Sequence, residues 1–246
     1  MKKLNLIYAL FLLSVFTSCQ KDHPIKSDTP GNKPPVIANV RDSVSYTVEG
    51  KTYITDSDPY SFLSAGGEEM DRKVVYPDSS NKFNYALVGN PDSVLYYQKN
   101  TILSNNANLG IFFIKKYSKK HKNDGVIYHP ELKDLPQLFA VGKHPYAEDF
   151  GWKNSQDGIA LNISVNGSVY ISYAPFNPNK PSIPKPGFQK NSTFEIISFT
   201  KATSGGYNLE ARFVATVTDN VTGEQKKLEN GYLRLYFVPI VAADPN

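Results

Sequence analysis

The sequence predicts an all-β protein, a two-sheet antiparallel sandwich of about ten strands with one short helix. Apolar and polar residues alternate with the two-residue period of a β-strand, most clearly over 159–165 and 207–218. Clusters of Gly, Pro, Asn and Asp separate the short apolar segments, and helical periodicity is nearly absent. The 16 Tyr and 14 Phe residues are also typical of a pleated sheet.

The chain begins with the three-part pattern of a secretory signal, which we assign to residues 1–18. Two lysines are followed by an almost wholly apolar run to Phe16 and then by small residues before Cys19. About 13 residues are too few for a membrane-spanning helix, which needs about 20. Cys19 is the only cysteine, and its position resembles that of the lipid-modified cysteine in bacterial lipoproteins. The alternative is an ordinary secretory signal cut near Ser18.

Residues 19–42 are predicted to form a disordered tether. They are rich in Lys, Asp, Pro, Ser, Gly and Asn, so they bury too little apolar surface to offset their ordering entropy. Residues 43–246 are then long enough for a single β-sandwich domain with a sizeable core. The tract Gln20-Lys21-Asp22 resembles the tags of surface-exposed lipoproteins of Bacteroidota. This implies display on the outer membrane, with a periplasmic face as the alternative.

Composition narrows the chemistry that the mature chain can perform. Lipidation of Cys19 leaves no free thiol, which excludes disulfides, thiolate nucleophiles and cysteine-ligated zinc. Removal of Lys2 and Lys3 with the signal lowers the formal net charge from +4 to +2, which does not indicate nucleic-acid binding. The lysines between 115 and 122 are interpreted as a solvated hairpin tip. We expect a monomer without a cofactor.

Strand signals begin directly after the tether. The predicted strands of the N-terminal half are 44–48, 51–55, 83–88, 94–98 and 109–114. Glu49-Gly50 predicts a hairpin between the first two. A turn cluster at 89–92 separates the next two. The continuous apolar run of the last predicts a strand that is buried on both faces.

The clearest strands lie in the C-terminal half. They are 159–165, 169–173, 194–200, 207–218 and 232–237. A two-residue turn at Asn166-Gly167 would set Val165 opposite Ser168, whereas a three-residue connection sets Val165 opposite Val169. We expect the three-residue connection because it keeps one face apolar. The short helix is predicted at 136–141 and ends at Gly142.

Strand-and-turn motifs in this half carry a family resemblance. The motifs are Asp157-Gly158-Ile159, Phe194-Glu195-Ile196, Gly206-Tyr207 and the stretch from Phe213 through Thr222-Gly223 to Asn230-Gly231. They are similar to the C-terminal half of uncharacterised lipoproteins of Bacteroidota, and the resemblance also covers the signal. It implies a β-rich, lipid-anchored envelope protein and brings no catalytic residues.

No residue pattern predicts a catalytic or metal site. His129, His144 and Glu148 offer metal-ligand types, but no histidine pair has the i, i+4 spacing of a helical metal site. We interpret these histidines as solvated loop residues. Glu195 and Glu210 could meet across strands as the acid pair of a hydrolase. Both, however, fall at polar positions that face outward.

Two long loops hold the residues that we expect to bind a partner. They span 123–157 and 174–191, and the second contains five prolines that fix its shape without a core. Alternation assigns the apolar residues of the strands to the core and leaves four loop aromatics unassigned. These are Trp152, Tyr146, Phe176 and Phe188. The alternative is that Trp152 and Phe150 plug one end of the sandwich.

These features predict a non-catalytic, lipid-anchored binding or accessory protein of the cell envelope. Its partners would be the membrane, through lipid on Cys19, and a glycan or an envelope protein. Two other classes stay open. A fimbrial or adhesin subunit would assemble by strand addition at a sheet edge. A carboxylate-dependent hydrolase would need a cleft of acids with perturbed pKa values.

Overall fold

The structure is a computed structural model, and it describes residues 41–55, 60–69, 72–77, 83–88, 92–121, 132–174 and 184–240. The predicted signal and Cys19 lie outside these residues, as do Phe176, His129 and all of the predicted tether except its last two residues. None of the helices within the described ranges has the length and apolar character needed to cross a bilayer.

Strands account for most of the described residues. Their bounds are β1 (Ser43–Val48), β2 (Lys51–Ile54), β3 (Tyr60–Glu69), β4 (Arg72–Pro77), β5 (Phe83–Val88), β6 (Ser93–Leu103), β7 (Asn108–Ser118), β8 (Gly142–His144), β9 (Gly158–Val165), β10 (Ser168–Ile171), β11 (Thr193–Lys201), β12 (Tyr207–Asp219) and β13 (Gln225–Phe237). Two single-turn 3-10 helices lie at Lys119–His121 and Leu132–Asp134, and a short α-helix lies at Leu135–Leu138.

Eleven of these strands form one antiparallel sheet. Its order is β2-β1-β13-β12-β10-β9-β7-β6-β3, while β11 pairs with β12 and β8 pairs with β11. β4 and β5 form a separate two-stranded sheet. The prediction of an antiparallel all-β fold with a short helix is therefore confirmed.

The inner face of the large sheet encloses the main core. Tyr46 on β1 donates a hydrogen bond of 3.2 Å to the carbonyl oxygen of Asn108 on β7, five places away in the sheet. The ring of Phe113 on β7 lies 6.5 Å from that of Phe194 on β11. Such contacts between strands that are not neighbours require the sheet to curl around this face. The buried aromatic and aliphatic side chains fill the space inside it.

A second, smaller core lies on the outer face of β6, β7 and β9. Phe112 alternates with the inward residues of β7 and packs there with Leu95, Ile114 and Ala160. The loop that follows β8 crosses this face and buries Phe150, whose ring centroid lies 4.8 Å from that of Phe112. This packing explains why the apolar run at 109–114 is buried on both faces.

The hairpin between β9 and β10 differs from its prediction. Val165 pairs with Ser168, so the turn has two residues, Asn166 and Gly167, with φ angles of 50° and 84°. Both residues adopt the left-handed conformation that a type I′ turn requires, and this turn matches the twist of the flanking strands. The three-residue connection was therefore wrong. Tyr170 enters the core in place of Val169.

Three further details differ from the sequence prediction. The helix ends at Leu138, and Gly142 begins β8 instead of ending the helix. β7 continues past its apolar run to Ser118, so Lys115 and Lys116 are strand residues and not part of a hairpin tip. β3, β4 and β8 have no counterpart among the predicted strands because their residues do not alternate clearly.

Candidate functional site

The loop between β8 and β9, residues 145–157, is folded tightly around Asp149. The backbone N–H groups of Trp152 and Asn154 both donate to the Asp149 carbonyl oxygen at 3.1 Å. Asp149 Oδ2 accepts hydrogen bonds from Ser155 N at 2.9 Å and Ser155 Oγ at 2.6 Å. Asn154 is buried and accepts a bond of 2.6 Å from Gly151 N. Trp152 is therefore a partly exposed side chain on a well-fixed backbone.

This loop is held to the sheet at both ends. Ala147 N donates to Ile159 O, and Ile159 N donates to Pro145 O, both at 2.9 Å. At the other end Asp157 accepts a hydrogen bond of 2.8 Å from Lys116 N and forms an ion pair of 3.2 Å with Lys115. The sheet thus fixes the position of the loop.

Glu148 joins this loop to the second long loop. Its carboxylate accepts hydrogen bonds from Gly187 N at 2.5 Å and from Gln189 N at 3.2 Å. Gln189 is itself buried, and its Nε2 donates to Ser172 O at 2.8 Å and to Thr216 O at 2.7 Å. Phe188 lies between these two amides and is partly exposed. We call residues 148–153 together with 187–189 the loop platform.

The predicted contact residues have different environments. Trp152 and Phe188 are partly exposed on the loop platform, and Lys153 Nζ lies 4.6 Å from the centre of the Trp152 ring. Tyr146 is only 7% exposed and belongs to the main core. Burial raises the pKa of its hydroxyl well above the ordinary value. Tyr146 therefore does not offer its ring to a partner, and Phe176 lies outside the described residues.

The residues considered for a metal site are engaged elsewhere. His144 Nε2 lies 2.7 Å from Ala140 O, which fits a hydrogen bond donated by the ring. The Glu148 carboxylate binds the two amides of the loop platform. In the part of the chain that the structure describes, no three His, Cys, Asp or Glu side chains are grouped to hold a metal ion.

A second candidate surface lies on the outer face of β11, β12 and β13, at a β-bulge. Phe213 pairs with Gly231 and Ala215 pairs with Leu228. Between these two pairs β13 has two residues and β12 has one. Asn230 is the extra residue and has a φ angle of 52°. Bulges redirect side chains and interrupt the regular pleat. Here the bulge leaves a groove of about 340 Å³ in the sheet surface.

We call this depression the bulge groove. Its lining residues are Thr193, Glu195, Arg212, Phe213, Val214, Asn230, Gly231 and Tyr232. An added Cβ on Gly231 would lie 2.4 Å from Cδ2 of the Phe213 ring, so only glycine fits there. From inside the core, the Tyr146 hydroxyl donates to Val214 O at 3.1 Å and lies 3.4 Å from Thr193 O. Tyr146 thus positions the backbone at one side of the groove.

The charged groups beside the groove fall into two sets. Tyr232 donates a hydrogen bond of 2.8 Å to Glu210, and Arg234 Nε donates to the same carboxylate at 3.2 Å. Arg234 Nη2 also donates to the Tyr232 hydroxyl at 3.3 Å, and this hydrogen bond raises the pKa of the guanidinium above its ordinary value. The side chains of Glu195 and Arg212, although these residues are directly opposite each other on β11 and β12, form no ion pair or hydrogen bond with any described residue. Both side chains are exposed.

The sheet register also separates the two acids considered for a hydrolase. Ser198, and not Glu195, lies opposite Glu210 on the neighbouring strand. Sequence reasoning placed both glutamates correctly on the outer face but did not predict the groove. The sequence feature that indicates this groove is Asn230-Gly231 in the middle of a long alternating strand, since an isolated glycine there indicates a bulge.

Comparison of the chain with protein-family models, with curated proteins and with solved structures gives no match.

Proposed function

We propose that this chain is a non-catalytic binding or accessory protein of the bacterial cell envelope. Lipid on Cys19 would hold it at the outer membrane, and residues 19–42 would carry the folded domain away from the bilayer toward the cell surface. The basic start, the short apolar run and the single cysteine support this anchor. We place the chain with the β-rich, lipid-anchored lipoproteins of Bacteroidota that it resembles.

The observation that carries the binding function is the clamp that Glu148 forms between the two long loops. Two charge-assisted hydrogen bonds, donated by Gly187 N and Gln189 N to the Glu148 carboxylate, join the loops, and Asp149 fixes the turn that carries Trp152. A partner would meet Trp152 and Phe188 in positions that are already ordered, which lowers the entropy cost of binding. Large aromatic side chains on such supports are the typical anchors of an interface or a sugar-binding surface.

Mapping of cross-links on living cells tests this assignment. Lys153, Lys185 and Lys190 are exposed lysines in the two loops, and Lys51, Lys201 and Lys227 are exposed lysines elsewhere on the domain. An amine-reactive cross-linker should join a glycan-associated or protein partner mainly to the first three. An even distribution over all six would contradict binding at the loop platform.

The anchor has its own test, since the two halves of the proposal can fail separately. Metabolic labelling with a tagged fatty acid should mark the wild-type protein, because the signal pattern places Cys19 at the mature N-terminus. The Cys19→Ala variant should carry no label. Label that survives in this variant would show that lipid is absent from Cys19 or attached elsewhere.

We further propose that the halves of the curled sheet pack as two layers of a sandwich. The hydrogen bond from Tyr46 to Asn108 and the contact between Phe113 and Phe194 support this, because each joins strands that lie apart in the sheet order. Two packed layers would place the long loops at the ends of the strands, where binding surfaces commonly lie.

A second candidate is a fimbrial or adhesin subunit that assembles by strand addition. One observation favours it: β3 has ten residues and pairs only with β6 among the described strands. Long strands with a free edge accept an added strand. Recovery of the mature protein as a polymer that begins near Asp42 would favour this candidate, whereas recovery as a monomer that begins at Cys19 would exclude it.

A further inference from the structure

We propose that the bulge groove binds a carboxylated sugar residue, such as a uronic acid, on the outer face of β11, β12 and β13. This site is separate from the loop platform and involves none of its residues. The groove contains a cation for the carboxylate, hydrogen-bonding groups for the hydroxyls and an aromatic side chain.

Arg212 is the group that selects a negative charge. It is exposed on β12, and its guanidinium makes no ion pair or hydrogen bond with the residues that the structure describes, although Glu195 lies directly across the strand pair. A guanidinium presents paired N–H donors in a plane that matches a carboxylate. Arg234, in contrast, already forms a hydrogen bond and an ion pair with Glu210, so its guanidinium is less able to bind a ligand carboxylate.

Glu195 indicates that the ligand carries hydroxyl groups in addition to its negative charge. Its carboxylate would repel a simple anion such as phosphate or sulfate, but it accepts hydrogen bonds from hydroxyl groups. Thr193 and Asn230 line the same groove and add further hydrogen-bonding side chains. A ligand with one carboxylate and several hydroxyls satisfies Arg212 and Glu195 together.

Tyr232 and the shape of the groove fit a sugar ring. Tyr232 lies opposite Arg212 on β13, and its hydroxyl is held by the bond to Glu210. An aromatic ring beside hydrogen-bonding groups suits a sugar, which has apolar C–H faces and polar edges. The volume of about 340 Å³ lies at the lower end of the range of small-molecule sites. The support of Val214 O by Tyr146 keeps this shape fixed.

Calorimetric titration of the full lipidated protein in detergent tests the proposal. The probes are a galacturonate trisaccharide, its neutral methyl ester and a short peptide with a free C-terminal carboxylate. The wild type should bind the acidic sugar at least about tenfold more tightly than either comparison ligand. Equal binding of the ester, tighter binding of the peptide, or no binding of the acidic sugar would each overturn the proposal.

Two matched variants locate the site. Arg212→Gln should weaken binding of the acidic sugar about ten- to a hundredfold, which is the loss expected for a charge-assisted hydrogen bond. Lys201→Gln removes an exposed positive charge from the other end of β11, opposite Tyr207 and outside the groove lining, and should bind as the wild type does. An unchanged affinity in Arg212→Gln, or an equal loss in Lys201→Gln, would contradict the site.

A third variant separates this inference from the proposed function. Trp152→Ala alters the loop platform and should leave binding of the acidic sugar unchanged. If Trp152→Ala abolishes that binding while Arg212→Gln does not, the sugar binds at the loop platform and the bulge groove is not its site. Unchanged thermal unfolding midpoints for the three variants would show that the fold is intact in each.

Discussion

Phe150 and Trp152 are two positions apart in one loop but have opposite environments. Phe150 is 9% exposed, and its ring contacts those of Phe112, Tyr97 and Tyr173. Trp152 is partly exposed, and Lys153 lies over its ring. At the scale of single residues, the first side chain therefore contributes to the core, while the second remains partly exposed.

This contrast predicts different costs for truncation of the two aromatics. Phe150→Ala should lower the free energy of unfolding by about 3–5 kcal/mol, because it leaves a cavity among three rings. Trp152→Ala should lower it by less than about 1 kcal/mol, as for a surface side chain. Urea unfolding followed by circular dichroism measures both. An equal loss in the two variants would show that Trp152 is a core plug.

Gly231 gives a second prediction at this scale. Gly231→Ala should lower the free energy of unfolding by about 1–3 kcal/mol, because its Cβ would collide with the buried Phe213 ring. Gly110→Ala is the matched control on β7. Its Cβ would lie 3.3 Å from the flexible end of Lys99, which can move aside at little cost. Comparable losses in the two variants would argue against the tight contact at the bulge.

At the scale of elements, the described parts of the two long loops, 145–157 and 184–191, are joined to each other. Glu148 on the first loop binds Gly187 N and Gln189 N on the second, and Ala174 N donates to Glu148 O at 2.7 Å. The order of the second loop near Phe188 thus depends on one carboxylate of the first. Loss of this carboxylate should loosen the loop platform without unfolding the sheet.

Glu148→Ala tests this dependence. Hydrogen exchange of the Gly187 and Gln189 amides should become about ten- to a hundredfold faster, since each loses a charge-assisted hydrogen bond. Glu224→Ala removes an exposed carboxylate from an ion pair of 3.7 Å with Lys226 and should leave both amides unchanged. Unaltered protection in Glu148→Ala would mean that other contacts order the second loop.

Most strands could be predicted from the sequence because their outward residues are polar. The hairpin at Glu49-Gly50 and the long strand β12 follow directly from alternation and turn residues. β13 begins at Gln225, well before its predicted start at residue 232. The register predicted at Asn166-Gly167 is wrong because the strong preference of Asn-Gly for a two-residue turn outweighs the burial of an apolar Val169. Local turn geometry decided the register, and Tyr170 filled the core instead.

The candidate sites were predictable only in part. Alternation identified Trp152 and Phe188 as loop aromatics without a core position, but it could not distinguish them from Tyr146. Tyr146 is buried by a long-range contact in which Ala147 N donates a hydrogen bond to Ile159 O. The pattern of neighbouring residues in the sequence does not predict such a pairing. The bulge groove depends on the alignment of three strands, which no single segment reveals.

At the scale of the whole molecule, the core contains several buried tyrosines. Tyr46 and Tyr96 are fully buried, and their hydroxyls donate to backbone carbonyl groups. Burial raises the pKa of Tyr46 from 10.0 to about 12, and it raises the pKa of Tyr96 and Tyr146 further. These hydroxyls must stay protonated in the fold, whereas they ionise freely in the unfolded chain.

This difference predicts a loss of stability at alkaline pH. Because the unfolded hydroxyl releases its proton near pH 10 and the folded one near pH 12, the free energy of unfolding should fall as pH rises through this window. Below pH 9 tyrosine should contribute no pH dependence. Tyr46→Phe should lose less stability between pH 10 and 12 than the wild type. Equal pH dependence in the two proteins, measured by urea unfolding, would contradict the assignment.

The most direct test of the binding function is the amount of cross-linked complex recovered from living cells that carry the Trp152→Ala/Phe188→Ala double variant. At equal surface level and unchanged unfolding free energy, the yield should fall about tenfold or more relative to the wild type, as for loss of central aromatic anchors. Phe62→Ala, which truncates a 41% exposed aromatic on β3 outside the loop platform, should give the wild-type yield. A wild-type yield from the double variant would contradict the proposal that the loop platform is the contact surface.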